Sequence, residues 1–300
     1  MRADTAKDYH ERMLRVLVHI QEHLDEALDL ASIAAIAHFS PYHFHRIFQG
    51  MVGESVMAHI RRLRLERAAQ QLKHSDRPVT RIAFEAGYET HEAFTRAFRA
   101  SIGESPSRFR QIHQAISLPA APSGVHYAAG GGPEDFTPVQ TGGSRMDGQI
   151  REVPKMRVAF VRHVGPYIEV HAAWAKLCGW AGPHGLFGPQ AKMLGVCHDD
   201  PEVTPPDKIR YDACITVGEE VQPEGDIGVQ EVGGGEYAVA THRGPYERLA
   251  QTYAELCGQW LPSTGREVRS GPSIEMYQNS PQDTAPEDLR TEVYVPLDPQ

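Results

Sequence analysis

The chain is poor in the features that mark secretion, membranes and metal chemistry. Its four cysteines (Cys178, Cys197, Cys214, Cys257) form no C-x-x-C pair, which speaks for reduced thiols and a cytoplasmic protein rather than a disulfide framework. No apolar run approaches the roughly 18 residues of a membrane span, and the N-terminus, MRADTAKDYHERM, lacks the apolar stretch of a signal peptide. Histidine is plentiful, but only His19 and His23 have helical i, i+4 ligand spacing, and no nearby acid or cysteine completes a set; His43 and His45, two apart, point in different directions. No Ser-His-Asp or Cys-His arrangement stands out. The reading is no metal, no cofactor, no catalytic set and no membrane.

Positive charge is scarce overall and concentrated locally. The 300 residues carry a net charge of −9, which would argue against a nucleic-acid partner. Residues 1–114, however, hold 16 Lys+Arg against 14 Asp+Glu, while 115–300 hold 14 against 25. From Ser40 to Gln114 the count is 12 against 7, and 11 of the 12 bases are arginine. A basic, arginine-rich segment beside an acidic remainder reopens the nucleic-acid question.

Composition divides the chain into three. Residues 8–113 read as amphipathic helices. Residues 114–145, rich in Gly, Pro, Ala and Ser, read as a flexible linker. Residues 146–299 alternate short β-branched runs with one longer helical stretch per half. The expected architecture is multidomain: an all-α domain, then an α+β domain.

Both domains repeat internally. "HFHRIFQGMVGES" and "AFTRAFRASIGES" lie 50 positions apart, and "IAAIAHFSPYHFHRIF" aligns with "IAFEAGYETHEAFTRAF" once one residue is inserted. Each copy reads as a short helix, a tight turn at His38-Phe39 or Gly87-Tyr88, and a second helix capped by Ser40 or Thr90. These are two helix-turn-helix motifs, whose second helices enter the DNA major groove. Phe44 with Phe48, and Phe94 with Phe98, share the core face. The opposite faces carry Tyr42, His45, Arg46 and Gln49, and His91, Glu92, Thr95 and Arg96. Arg46 and Arg96 are in register, and an arginine fork can bridge guanine O6 and N7. Between the motifs, Glu54 to about Lys73 reads as one long helix with apolar Val56, Ile60 and Leu63. A helix of that length spans about 30 Å, close to the ~34–36 Å between successive major grooves, and its Arg61 and Arg62 are candidate phosphate contacts.

In the second domain, "RHVGPYIEVHAAWAKLCGW" matches "THRGPYERLAQTYAELCGQW" at an offset of 79, and "RYDACITV" finds its partner in "RTEVYVPL". Each half reads strand, helix, strand, strand, so the expectation is two pseudo-symmetric β-α-β-β repeats enclosing a groove. Trp174 and Tyr253 occupy equivalent helix positions. Glu275 and Tyr277 share one strand face, as do Glu292 and Tyr294. If both faces line the groove, two carboxylates lie among aromatic rings, a chemistry suited to a lipophilic, aromatic cation. Gly195 stands where the second half has Glu275, and Asp212 matches Glu292, so the pocket is expected to be asymmetric. Glu292 could instead pair with Arg290.

Residues 8–113 resemble the DNA-binding domain of AraC/XylS-family transcription regulators, through "SPYHFHRIFQ", the spacer helix and "IAFEAGYETHEAFTRAFRASIGESPSRFR". The resemblance implies sequence-specific binding to promoter DNA, usually to recruit RNA polymerase. Glu92 departs from a phosphate-friendly surface, since a carboxylate accepts from cytosine N4 but repels phosphate. The second domain resembles the GyrI-like small-molecule-binding domain, found fused to AraC-type domains in Rob-like regulators. The resemblance rests on "RHVGPY", "GVCHDDPEVTPPDKIRYDACITV", "THRGPY" and "EMYQNSPQDTAPEDLRTEVYVPL". It implies acidic and aromatic groove residues, here Glu275, Glu292 and Tyr294, that bind lipophilic, often cationic effectors. The alternatives are a GyrI-like domain that hydrolyses a small molecule, with a groove glutamate as base, or one that binds a protein partner.

Overall fold

Hydroxyl caps set the helix boundaries of the N-terminal part. A computed structural model describes residues 2–112, 118–140 and 146–299. Residues 6–140 form one unit and 141–300 the bulk of a second. The first motif is α2 (Leu30–Ile36) and α3 (Pro41–Val52), preceded by α1 (Arg2–Glu22). The second is α5 (Val79–Glu85) and α6 (His91–Ile102), followed by α7 (Pro106–Gln111), with α4 (Val56–His74) between the motifs. Ser40, Ser55 and Thr90 side chains accept from the amides of His43, Ala58 and Ala93, satisfying first-turn donors that would otherwise be unpaired. Because Ser55 is the cap, α4 starts two residues after the expected Glu54. Val56, Ile60 and Leu63 are buried, as are all four expected core phenylalanines. The Phe44–Phe48 and Phe94–Phe98 rings lie 5.7 and 5.4 Å apart. The two motif turns require left-handed backbone at equivalent positions, supplied by Gly87 at φ +83° and by His38 at +57°.

The segment expected to be a free linker is, over residues 118–140, a strap on the helical unit. Ser123, Val125 and Phe136 are buried. The Phe136 ring stacks on His10 at 4.4 Å, and the Val139 amide donates to the Met51 carbonyl over 2.8 Å. The Tyr127 amide donates to the Glu66 carboxylate at 2.8 Å. A few apolar anchors outweigh the strap's flexible composition, so the linker expectation is corrected there; residues 113–117 and 141–145 lie outside the described residues.

The C-terminal unit is one antiparallel sheet of eight strands. They are β1 (Gln149–Val153), β2 (Met156–Val164), β3 (Met193–Cys197), β4 (Arg210–Thr216), β5 (Gly228–Val232), β6 (Gly235–Arg243), β7 (Ser273–Tyr277) and β8 (Arg290–Pro296). Helix α8 (His171–Ala181) lies between β2 and β3, and α9 (Leu249–Glu255), extended by a π-helical turn over Leu256–Trp260, between β6 and β7. Each half therefore has one more strand than expected: strand, strand, helix, strand, strand. The sheet order, β1-β6-β8-β7-β3-β4-β2-β5, shows where the extra strands go. β1 pairs with β6 of the second half, and β5 with β2 of the first, so the halves exchange their leading strands. Tyr211, Ala213, Ile215, Val161 and Cys197 pack with Ala173 and Leu177 of α8 on one face, while Leu194, Val196, Ile274, Met276 and Tyr294 form a second cluster. Among the described residues, no helix is long and apolar enough to cross a membrane.

Candidate functional site

The two reading helices present their outward faces differently. On α6, Glu92 and Arg96 are exposed, and His91 and Thr95 are half-buried. On α3, Tyr42 and Gln49 are half-buried, whereas His45 and Arg46 are only 2% and 6% exposed. The Arg46 guanidinium lies 4.2 Å from the centre of the Tyr42 ring, a cation–π stack that holds it along its own helix. His45 and Arg46, expected on the outward face of the first recognition helix, are instead buried.

Of the two candidate phosphate contacts on α4, Arg61 is exposed and Arg62 is buried. Arg62 donates to Glu54 at 2.6 Å and to Glu66 at 2.8 Å, and His59 lies 2.8 Å from the same Glu54 oxygen. Burial would raise the Glu54 carboxyl, but the His59 and Arg62 hydrogen bonds hold it down at about 2. A guanidinium committed to two carboxylates inside the protein has no fork left for a phosphate, so Arg62 is corrected to a structural role. The neighbouring Arg64 is likewise used, donating to the carbonyls of Leu24 and Glu26 at 2.9 and 2.8 Å.

In the C-terminal unit four of the six expected ligand residues converge. Glu275 stands on β7, in the middle of the sheet, with its side chain 9% exposed. The Tyr253 hydroxyl, from α9, donates to one carboxylate oxygen at 3.2 Å, and the Tyr277 hydroxyl to the other at 2.9 Å. Trp174, from α8, stands edge-on to Tyr277 with ring centres 5.6 Å apart. Burial and then the Glu275 charge push the Tyr277 phenol well above its ordinary value. The same two causes raise Tyr246, whose ring is 5.6 Å from that of Tyr277. A carboxylate under aromatic rings, with few competing donors, favours a cation that brings its own apolar surface.

Glu292 and Tyr294 do not join this site. Glu275 pairs in register with Val293, and Met276 with Glu292, so the two glutamates point to opposite faces of the sheet. Glu292 accepts from Arg151 of β1 at 3.1 and 3.2 Å and from the Tyr294 hydroxyl at 2.6 Å. Burial opposes ionisation there, yet these hydrogen bonds keep the carboxyl below its ordinary value. The expected groove with two carboxylates is thus a floor with one. Arg290, the alternative partner, donates its backbone amide to Asn279 instead.

Reading the sequence missed Tyr211, Tyr167 and Tyr246. Tyr211 donates to and accepts from the cluster, with Trp174 Nε1 at 3.1 Å and the Tyr277 hydroxyl at 2.8 Å. Tyr167 stands 5.7 Å from it. Tyr167 and Tyr246 were visible as the repeated Gly-Pro-Tyr; Tyr211, at the first alternation of its strand, carried no such mark.

A family model described as the GyrI-like small molecule binding domain matches residues 146–298, and one described as a helix-turn-helix domain matches 33–112. The chain is 34% identical over 155 residues to the probable transcriptional regulator YgiV of Escherichia coli strain K12, covering 51% of this chain and 96% of that protein. It is 30% identical over 102 residues to the regulatory protein SoxS of Salmonella typhimurium, covering 34% of this chain and 95% of that protein. A crystal structure of a hydrolase from Listeria innocua is similar over 52% of this chain and 94% of that one, at 16% identity and a TM-score of 0.39.

Proposed function

The chain belongs to the family of GyrI-like small molecule binding domains and carries an AraC-type helix-turn-helix domain, and on that premise we propose that it is a one-component transcription regulator. Its helical unit binds operator DNA through α6 and α3. Its C-terminal unit, two repeats read as related by a pseudo-twofold axis, binds a lipophilic, aromatic cation. The effector is sensed and released intact, in the cytoplasm, and the output passes through RNA polymerase. Binding shifts activity to the extent that the effector prefers one state of the protein over another. The observation that carries this reading is Glu275, a buried carboxylate whose two oxygens each receive a phenol hydroxyl, with Trp174 and Tyr246 packed against Tyr277, one of those phenols.

All three tryptophans (Trp174, Trp180, Trp260) lie in the C-terminal unit, so intrinsic fluorescence of the full chain reports on that unit alone. Titration with benzyltrimethylammonium is expected to give a saturable change. The neutral isostere neopentylbenzene should bind more weakly, and Glu275→Gln should abolish the preference. Equal responses to both probes, or a preference that survives Glu275→Gln, would remove the cation from the proposal. The same probe should change affinity for operator fragments at fixed salt; DNA binding indifferent to a saturating probe would separate the two activities.

A further inference from the structure

The internal repeat puts two residues at every position of the site, and at two positions the halves made opposite choices. Where the second half has Glu275, the first has Gly195, directly across the β3–β7 pair. Where the first half has Tyr211, the second has Thr291, eighty residues on. The choices are complementary. A Cβ built on Gly195 would lie 2.4 Å from the Tyr211 hydroxyl oxygen and 2.6 Å from its ring, so the phenol lies directly over the glycine and no other residue fits beneath it. In the second half Thr291 is short, a carboxylate stands in place of the missing Cβ, and the Thr291 hydroxyl, fully buried, has no hydrogen-bond partner among the described residues.

The hydrogen bonds that hold the Tyr211 ring have one possible direction. Tyr277 spends its proton on Glu275. Tyr211 must therefore donate to the Tyr277 oxygen, and it accepts from Trp174, whose indole N–H can only donate. Both the donor and the acceptor capacity of the hydroxyl are used, and the ring is 2% exposed. It is a fixed plug.

We propose that Tyr211 is the specificity-determining residue of the effector site: its ring fills the first half's side of the floor over Gly195, so the site admits a cation carrying one aromatic arm, on the second half's side, where the shorter Thr291 stands in place of a phenol. This rests on the reading of Glu275 as the cation's partner. Removing the ring should open a second lobe of about one phenyl group, at the position the pseudo-twofold relates to the first, matched by a cation with two such arms.

The test uses the full chain and calorimetric titration with benzyltrimethylammonium and dibenzyldimethylammonium, which share a charge and differ by one phenyl group. Wild type should favour the one-armed probe. Tyr211→Thr, which copies the second half, should shift the affinity ratio toward the two-armed probe by about tenfold or more. Tyr211→Phe keeps the ring, and should keep the wild-type ratio. If Tyr211→Thr lacks a cooperative melt, Tyr211→Leu, which shortens the side chain and keeps it apolar, replaces it with the same expectation. An unchanged ratio in the shortened variant, with the one-armed probe still bound, overturns the plug alone. A Tyr211→Phe shift as large as that of Tyr211→Thr also overturns it, since the hydroxyl chain would then be the determinant. Failure of every protein to bind either cation sinks the Glu275 reading, and the plug with it.

Discussion

Arg151, in the leading strand of one half, closes a two-pronged ion pair with Glu292, in the last strand of the other, at 3.1 and 3.2 Å. At the matching offset a hydrogen bond from a neutral side chain makes the corresponding link: Gln230, seventy-nine residues after Arg151, donates to Asp212, eighty before Glu292, at 3.0 Å. Each carboxylate thereby ties an exchanged strand to its host half. Glu292→Gln and Arg151→Ala should each lower the stability of the C-terminal unit by about 1–2 kcal/mol, a charged hydrogen bond discounted for partial exposure. Urea unfolding followed by tryptophan fluorescence measures this. Both variants should bind benzyltrimethylammonium as wild type does; loss of binding without loss of stability would return Glu292 to the effector site.

Glu54, just ahead of α4, is bonded to His59 and Arg62 within that helix, and its stabilisation depends on pH. Its carboxyl, ordinarily near 4.5, is held at about 2, so the unfolded state takes up a proton at higher pH than the folded one. The contribution is therefore complete above 4.5 and is lost as pH falls toward 2. A shift of that size corresponds to about 3 kcal/mol. Glu54→Gln should destabilise the helical unit by roughly that much at neutral pH and by little at the acid end, as followed by far-ultraviolet circular dichroism in urea. A penalty that does not shrink with acid would assign Glu54 a packing role.

Gly87 and His38 occupy the same left-handed turn position, but only Gly87 is also crowded. A Cβ there would meet the Arg64 guanidinium at 2.8 Å. Gly87→Ala should cost about 1–2 kcal/mol from the backbone alone, whereas His38→Gly should be neutral or stabilising by a few tenths. Thermal melts of the two variants compare them directly. A destabilised His38→Gly protein would mean that the exposed imidazole makes a contact worth more than the backbone strain.

How far the sequence could be read follows the range of the interactions involved. Ser40, Thr90 and the phenylalanine pairs act within one helical turn, so spacing alone located both motifs. Phe136 was hidden because composition, the basis of the linker expectation, carries no information about where an isolated aromatic lands. Alternation correctly put Glu275 with Tyr277 and Glu292 with Tyr294. It could not relate the pairs, because the β7–β8 register, which sets Glu275 against Val293, depends on a pairing between segments far apart in sequence. Arg62 looked like a surface base for the same reason: its partner Glu66 is buried beneath the strap residues His126 and Tyr127, a contact no local pattern reports.

That difference in burial separates two arginines that the sequence reading placed on the DNA-binding surface, Arg96 as a base reader and Arg62 as a phosphate contact. Arg96 is exposed on α6 beside Glu92, free to reach a guanine edge. Arg62 neutralises Glu54 and Glu66 inside the helical unit. Arg96→Ala should weaken specific DNA by about 1–3 kcal/mol, relax preference at one base pair and leave the melting temperature unchanged. Arg62→Ala leaves two carboxylates without their shared cation, so the melting temperature should fall, while at temperatures where the protein stays folded the ranking of base preferences should hold. Binding of both variants to operator fragments mutated one pair at a time, at a single salt concentration, gives the comparison. If Arg96→Ala weakened all fragments equally, its contact would be to phosphate; if Arg62→Ala changed one position selectively, the buried network would have to open when DNA binds.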